Sequence, residues 1–90
     1  MKISPNVHEV RLIVHQIMED LGVARTDIQN NLSETVRIED GRCLARSYRV
    51  DQYLAMWLID VGILQFYDEQ GNMVRRANLF AEIETRGMAA

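Results

Sequence analysis

Hydrophobic positions near the N-terminus follow a helical period. Val7, Val10, Ile13, Val14, Ile17, Met18 and Leu21 recur at steps of three and four. At ~100° per residue they fall within an arc of roughly 140°. His8, Glu9, Arg11, His15, Gln16, Glu19 and Asp20 fill the other side, with Leu12 the one apolar residue among them. Ser4 is a suitable N-cap, Pro5 suits the first helical position, and Gly22 suits a C-terminal stop. The pattern predicts an amphipathic helix of about 17 residues, roughly 25 Å long. Thr26-Asp27-Ile28-Gln29 then matches a capping box for a second helix of a turn or two, which Asn30, Asn31 and Ser33 break.

From residue 34 the period changes. Turn signals at Asp40-Gly41, Asp51-Gln52, Val61-Gly62 and Gln70-Gly71-Asn72 fall about every ten residues, the spacing of an antiparallel meander of short strands. Asp40-Gly41 suits a type I′ hairpin turn, which needs positive φ at both central positions. Strands are predicted over 35–39, 42–50, 53–60, 63–68 and 73–78. A short helix after Asn78 uses Leu79, Phe80 and Ile83 and stops at Gly87.

Residues 52–60 also permit a helical reading, because Leu, Ala and Met favour helix and Asp51 can cap it. A helix there, followed by a hairpin over 63–78, gives an element order that resembles a winged helix-turn-helix with its wing around Gly71. The resemblance covers about half the chain and rests on element order. It implies a nucleic-acid-binding regulator whose Arg46, Arg49, Arg75 and Arg76 meet phosphates.

Strand register favours the meander. With two-residue loops, Ile38 faces Cys43, Val36 faces Ala45, Ala45 faces Leu58, Ser47 faces Met56 and Arg49 faces Leu54. One face then carries Val36, Ile38, Cys43, Ala45, Leu54, Met56, Leu58 and Ile63. The small Cys43 and Ala45 leave room for the N-terminal helix to lie close to it. The other face sets Arg46 beside the Trp57 ring as a cation–π pair, Ile59 beside Leu64 and Trp57 beside Phe66. The central strands are thus apolar on both faces, where a sheet with one solvated face would alternate. Tyr48, Tyr53, Trp57, Ile59, Leu64 and Phe66, together with Arg46, are the candidate partner-binding residues. They are expected to form an apolar aromatic face through which the protein dimerises or docks another protein, unless Leu79, Phe80 and Ile83 fold back over it.

Composition narrows the classes. Ninety residues, 48% hydrophobic and 26% charged, predict one α+β domain over 1–90: an N-terminal helix packed on a meander of four or five strands, with a short C-terminal helix. Net charge is −3, Lys2 is the single lysine, and no basic residue occurs from Val50 to Val74. That balance argues against nucleic acid, and a helix at 52–60 would have little with which to read bases. The lone Cys43 excludes an internal disulfide and fits a reducing compartment. No basic-then-apolar leader opens the chain, and the longest apolar stretch, Tyr53 to Ile59, is far short of the ~20 residues that span a bilayer. A cytoplasmic protein with no membrane segment is expected.

Candidate chemistry is sparse. His8 and His15 share the polar helix face but stand ~10 Å apart along its axis, too far to bind one ion. Neither histidine is placed beside Cys43 to activate it, so the thiol is expected to be buried and structural. The five glycines are isolated, so no phosphate-cradling loop exists. Asp68 to Asn72 lacks the ligand set of a calcium loop, and no serine sits in a nucleophile motif. Arg37, Arg42, Arg46 and Arg49 lie near Glu34, Glu39 and Asp40 and read as a salt-bridged edge. No catalytic residue, metal site or cofactor is expected, and the reading is of a non-enzyme.

Overall fold

The computed structural model describes residues 5–86. Two helices, α1 (Val7–Asp20) and α2 (Arg25–Asn31), precede five strands: β1 (Ser33–Glu39), β2 (Arg42–Val50), β3 (Tyr53–Leu58), β4 (Ile63–Tyr67) and β5 (Met73–Asn78). A helix, α3 (Leu79–Arg86), follows. The strands form one antiparallel sheet in the order β1-β2-β3-β4-β5, a plain meander. The domain is α+β, as the alternation and turn spacing predict. Residues 53–58 are the central strand, so the helix that the winged-helix resemblance needs over 52–60 is absent.

Helix α1 begins two residues later than its composition suggests. Asn6 is the N-cap, its Oδ1 accepting the Glu9 N–H at 2.8 Å while its Nδ2 donates to Glu9 Oε1 at 2.6 Å. Ser4, the expected cap, lies outside the described residues, as does Gly87 at the far end. The C-terminus closes as expected at Gly22, whose φ is 107°. The Gly22 N–H reaches the Glu19 carbonyl at 3.0 Å and the Val23 N–H reaches the Met18 carbonyl at 3.0 Å, the paired bonds of a Schellman stop. Helix α2 is capped at Ala24 with no side-chain bond, so Thr26 lies inside it rather than ahead of it.

Two hairpins use the expected tight loops. Asp40 and Gly41 both take positive φ, 51° and 76°, and Asp51 takes 55°, a region that aspartate tolerates better than most residues. Beyond the first turn the β1–β2 ladder shifts between Arg37 and Ile38. Ile38 still faces Cys43, but Val36 faces Arg46 instead of Ala45. The β2–β3 register is the predicted one, including Arg46 opposite Trp57.

The third connection differs. Ile59–Val61 winds into a 3-10 turn closed by Gly62 at φ 66°, so the loop is longer than two residues. Trp57 therefore faces Leu64 and Ala55 faces Phe66, two residues away from the expected pairing, and Ile59 leaves the ladder. A Cβ on Gly62 would come within 2.5 Å of Phe80 Cε2, and the Gly62 carbonyl accepts the Leu79 N–H at 2.8 Å. Glycine here lets α3 start hard against the turn.

One layer of helices covers one face of the sheet. The core joins Val10, Ile13, Val14, Ile17 and Met18 of α1, Ile28 of α2, and Leu79 and Ile83 of α3 to Tyr48, Val50, Ala55, Trp57, Leu64, Phe66 and Ala77 of the sheet. The covered face is thus the aromatic one, not the Leu54–Met56–Leu58 face to which register alone would assign α1. Physical magnitude decides the matter. Each aromatic ring hides ~150–250 Å² on burial, roughly 4–6 kcal/mol as an upper bound. The room that Cys43 and Ala45 offer on the other side cannot match three such rings. Among the described residues no helix is long and apolar enough to cross a membrane.

Candidate interaction surface

The predicted partner-binding residues are brought together, but inside the molecule. Tyr48, Trp57, Leu64 and Phe66 are buried beneath α1 and α3, and Tyr53 and Ile59 are half-buried against the same core. Leu79 and Ile83 do fold back over this face, and the whole stripe of α1 joins them. The Tyr53 hydroxyl donates to the Leu21 carbonyl at 3.3 Å, tying β3 to the end of α1. Four of the six are core and the other two pack against it, so these residues form no exposed aromatic face.

Arg46 belongs to an ionic cluster at the edge of that core. Its Nη1 meets Glu34 Oε2 at 3.2 Å, and Arg11 of α1 meets Glu34 Oε1 at 2.6 Å through Nη2 and at 3.1 Å through Nε. The Tyr48 hydroxyl adjoins this carboxylate without the geometry of a hydrogen bond. Burial works to raise the Glu34 pKa, but Arg11 and Arg46 outweigh it and hold the acid below its ordinary value. Tyr48 moves the other way, pushed up first by burial and then by Glu34. Of the expected salt-bridged edge, Arg37 also pairs with Glu39 at 3.8 Å, whereas Arg42 pairs with Asp60 of the third connection at 3.1 Å.

The opposite face of the sheet is covered by nothing among the described residues. Register and alternation place three rows across it. The first row runs Ser33, Arg49, Leu54, Tyr67 and Met73. The second runs Thr35, Ser47, Met56, Gln65 and Arg76. The third runs Arg37, Ala45, Leu58, Ile63 and Asn78. Leu54, Met56 and Leu58 of β3 fill the middle, with Ala45, Ile63 and Tyr67 beside them, all half-buried by their neighbours alone. Cys43 lies at this face's end, half-buried and not sealed in the core, where its Sγ is 3.9 Å from the Ala45 carbonyl.

Two shallow depressions meet at Met56. One is lined by Thr35, Arg37, Ala45 and Ser47, the other by Arg49, Leu54, Tyr67, Asp68 and Glu69. The second holds a cation and two acids at one rim. Arg49 makes no ion pair among the described residues. Asp68 is committed to its own turn, its Oδ1 accepting the Gln70 and Asn72 N–H groups at 3.0 and 2.9 Å. Glu69 is exposed and accepts from the Gln70 side chain at 3.3 Å. The Tyr67 hydroxyl donates to Gln65 Oε1 at 2.8 Å, fixing the ring along β4.

Alternation puts the residues of this surface on one face, but register alone gives that face to the helix. Its apolar strip is legible in the sequence; its exposure is not. Among the described residues no group of three or more His, Cys, Asp or Glu side chains is arranged to hold a metal ion. His8 is exposed and His15 half-buried on the polar side of α1. Compared with known proteins, the chain matches no family model, no curated protein and no solved structure.

Proposed function

We propose that the protein is a protein–protein interaction module that associates with itself through the uncovered face of its sheet. The observation that carries this reading is the unbroken apolar strip Leu54, Met56 and Leu58 on that face, in the central strand of the sheet. An antiparallel sheet with one solvated face places polar residues on that side. Here the open side of β3 carries none. Contiguous apolar surface rimmed by polar and charged groups, here Arg37, Arg49 and Arg76, is the usual mark of a protein interface.

In this reading the protein is a binding module and not an enzyme, and the single thiol of Cys43 supports placing it in the reducing cytoplasm. Sedimentation of the wild type and of Met56→Asp tests it. The wild type is expected to sediment as a concentration-dependent dimer. The variant is expected to sediment as a monomer with an unchanged circular dichroism spectrum. A wild type that stays monomeric at high micromolar concentration overturns the reading.

A further inference from the structure

Resting on that reading, we infer that the second copy lies face to face about a two-fold axis running along β3, which sets Arg49 of each copy over Tyr67 and Glu69 of the other. An isologous dimer needs one self-complementary patch. Two aligned in-plane axes centred on Met56 are available to a flat sheet face, and they stack different residues. An axis across the strands keeps each strand over itself and exchanges the rows, so Arg76, in the middle row, meets Arg76. It also puts Arg49 over Ala45. Like charges set directly on one another across an interface are unfavourable.

An axis along β3 exchanges β2 with β4 and β1 with β5 while keeping the rows. The small Ala45 then lies over the large Ile63, Ser47 over Gln65, and Thr35 over Arg76. Leu54, Met56 and Leu58 pack on their own copies. Arg49 lies over the Tyr67 ring with Glu69 and Asp68 just beyond it, a cation set on an aromatic face and an acidic rim. Ser33 lies over Met73 and Arg37 over Asn78, so no cation is set directly on another. Arg49 has no ionic partner in its own chain among the described residues, and this arrangement supplies one.

The dimensions allow it. Strands ~4.8 Å apart and open-face rows ~6.8 Å apart give a platform of roughly 24 by 20 Å, about 500 Å² in projection. Two such faces cover roughly 1,000 Å² together, at the low end of specific interfaces, which suits a reversible, concentration-dependent dimer. Aligned sheets pack rotated by ~30°, which displaces Arg49, about 8 Å from the axis centre, by roughly 4 Å, a distance that an arginine side chain spans.

Charge reversal tests the arrangement. Arg49→Glu and Glu69→Arg each place like charges together and are expected to raise the dimer dissociation constant at least ~10-fold. An equimolar mixture of the two variants is expected to restore association as a heterodimer. At one end the new acid at position 49 then meets the new base at position 69, and at the other end the original Arg49–Glu69 pair is kept. Dimers that Met56→Asp breaks, but that either reversal leaves untouched or the mixture fails to restore, overturn the axis along β3 and leave association through the open face standing. A monomeric wild type overturns both.

Discussion

Arg11 of α1 and Glu34 of β1 are joined at 2.6 Å across the edge of the core. The pair fixes where the first helix crosses the first strand. It also recruits Arg46 from β2, so one carboxylate is held by cations from a helix and a neighbouring strand.

That arrangement makes stability depend on pH in a defined direction. The folded-state pKa of Glu34 lies below its ordinary value of 4.5. Its contribution is therefore present above the unfolded pKa and is lost as pH falls through the folded value. Urea unfolding of the wild type and Glu34→Gln should differ at pH 7, and the gap should close progressively as pH falls below 4.5. The side chain is 21% exposed, so solvent screening keeps the gap modest, on the order of 1 kcal/mol. A gap unchanged across that pH window contradicts the assignment.

Trp57 is 4% exposed beneath the helices. Trp57→Ala should cost roughly 3–5 kcal/mol, a large share of the ~5–13 kcal/mol that a domain of this size possesses. Chemical denaturation followed by circular dichroism reads it. The variant should unfold far more easily. A stable variant that merely fails to associate would return Trp57 to the surface.

Gly62 offers a test of the third connection. Gly62→Ala suffers twice, from a φ of 66° and from a Cβ only 2.5 Å from Phe80 Cε2. The left-handed backbone alone costs about 1–2 kcal/mol, and the ring contact adds to it. In Phe80→Ala the same glycine change should cost less, leaving only the backbone component. A double-mutant cycle in urea measures the difference. Equal costs in both backgrounds would mean that the ring does not press on the turn.

Most of the sheet is legible in the residues. Asp40-Gly41 and Asp51-Gln52 carry the turn chemistry that sets two hairpins, and two-fold alternation separates Tyr53, Ala55 and Trp57 from Leu54, Met56 and Leu58. The third hairpin is not legible, because a 3-10 turn at Ile59–Val61 consumes residues that read as strand. The shift beside Ile38 leaves no mark in composition either. The consequential miss is which face α1 covers. Alternation divides the residues into two faces without ranking them. The ranking comes from the area that each face removes from water, and Tyr48, Trp57 and Phe66 outweigh three flexible aliphatic chains. The candidate surface is therefore visible as a set of residues and concealed as a site.

Consecutive residues of β3 carry the sharpest check on that ranking. Ala55 is fully buried between sheet and helices, and Met56 points to the uncovered side. Ala55→Leu forces extra carbons into a filled layer and should cost about 1–3 kcal/mol. Met56→Ala leaves no sealed cavity, so its cost should stay below that of a buried truncation, which runs to roughly 2–5 kcal/mol. Measured below the dissociation constant of any dimer, where neither value contains an association term, Ala55→Leu should be the more damaging of the two. A larger loss for Met56→Ala would mean that this side of β3 is sealed within the monomer, and the open face would cease to be a surface at all.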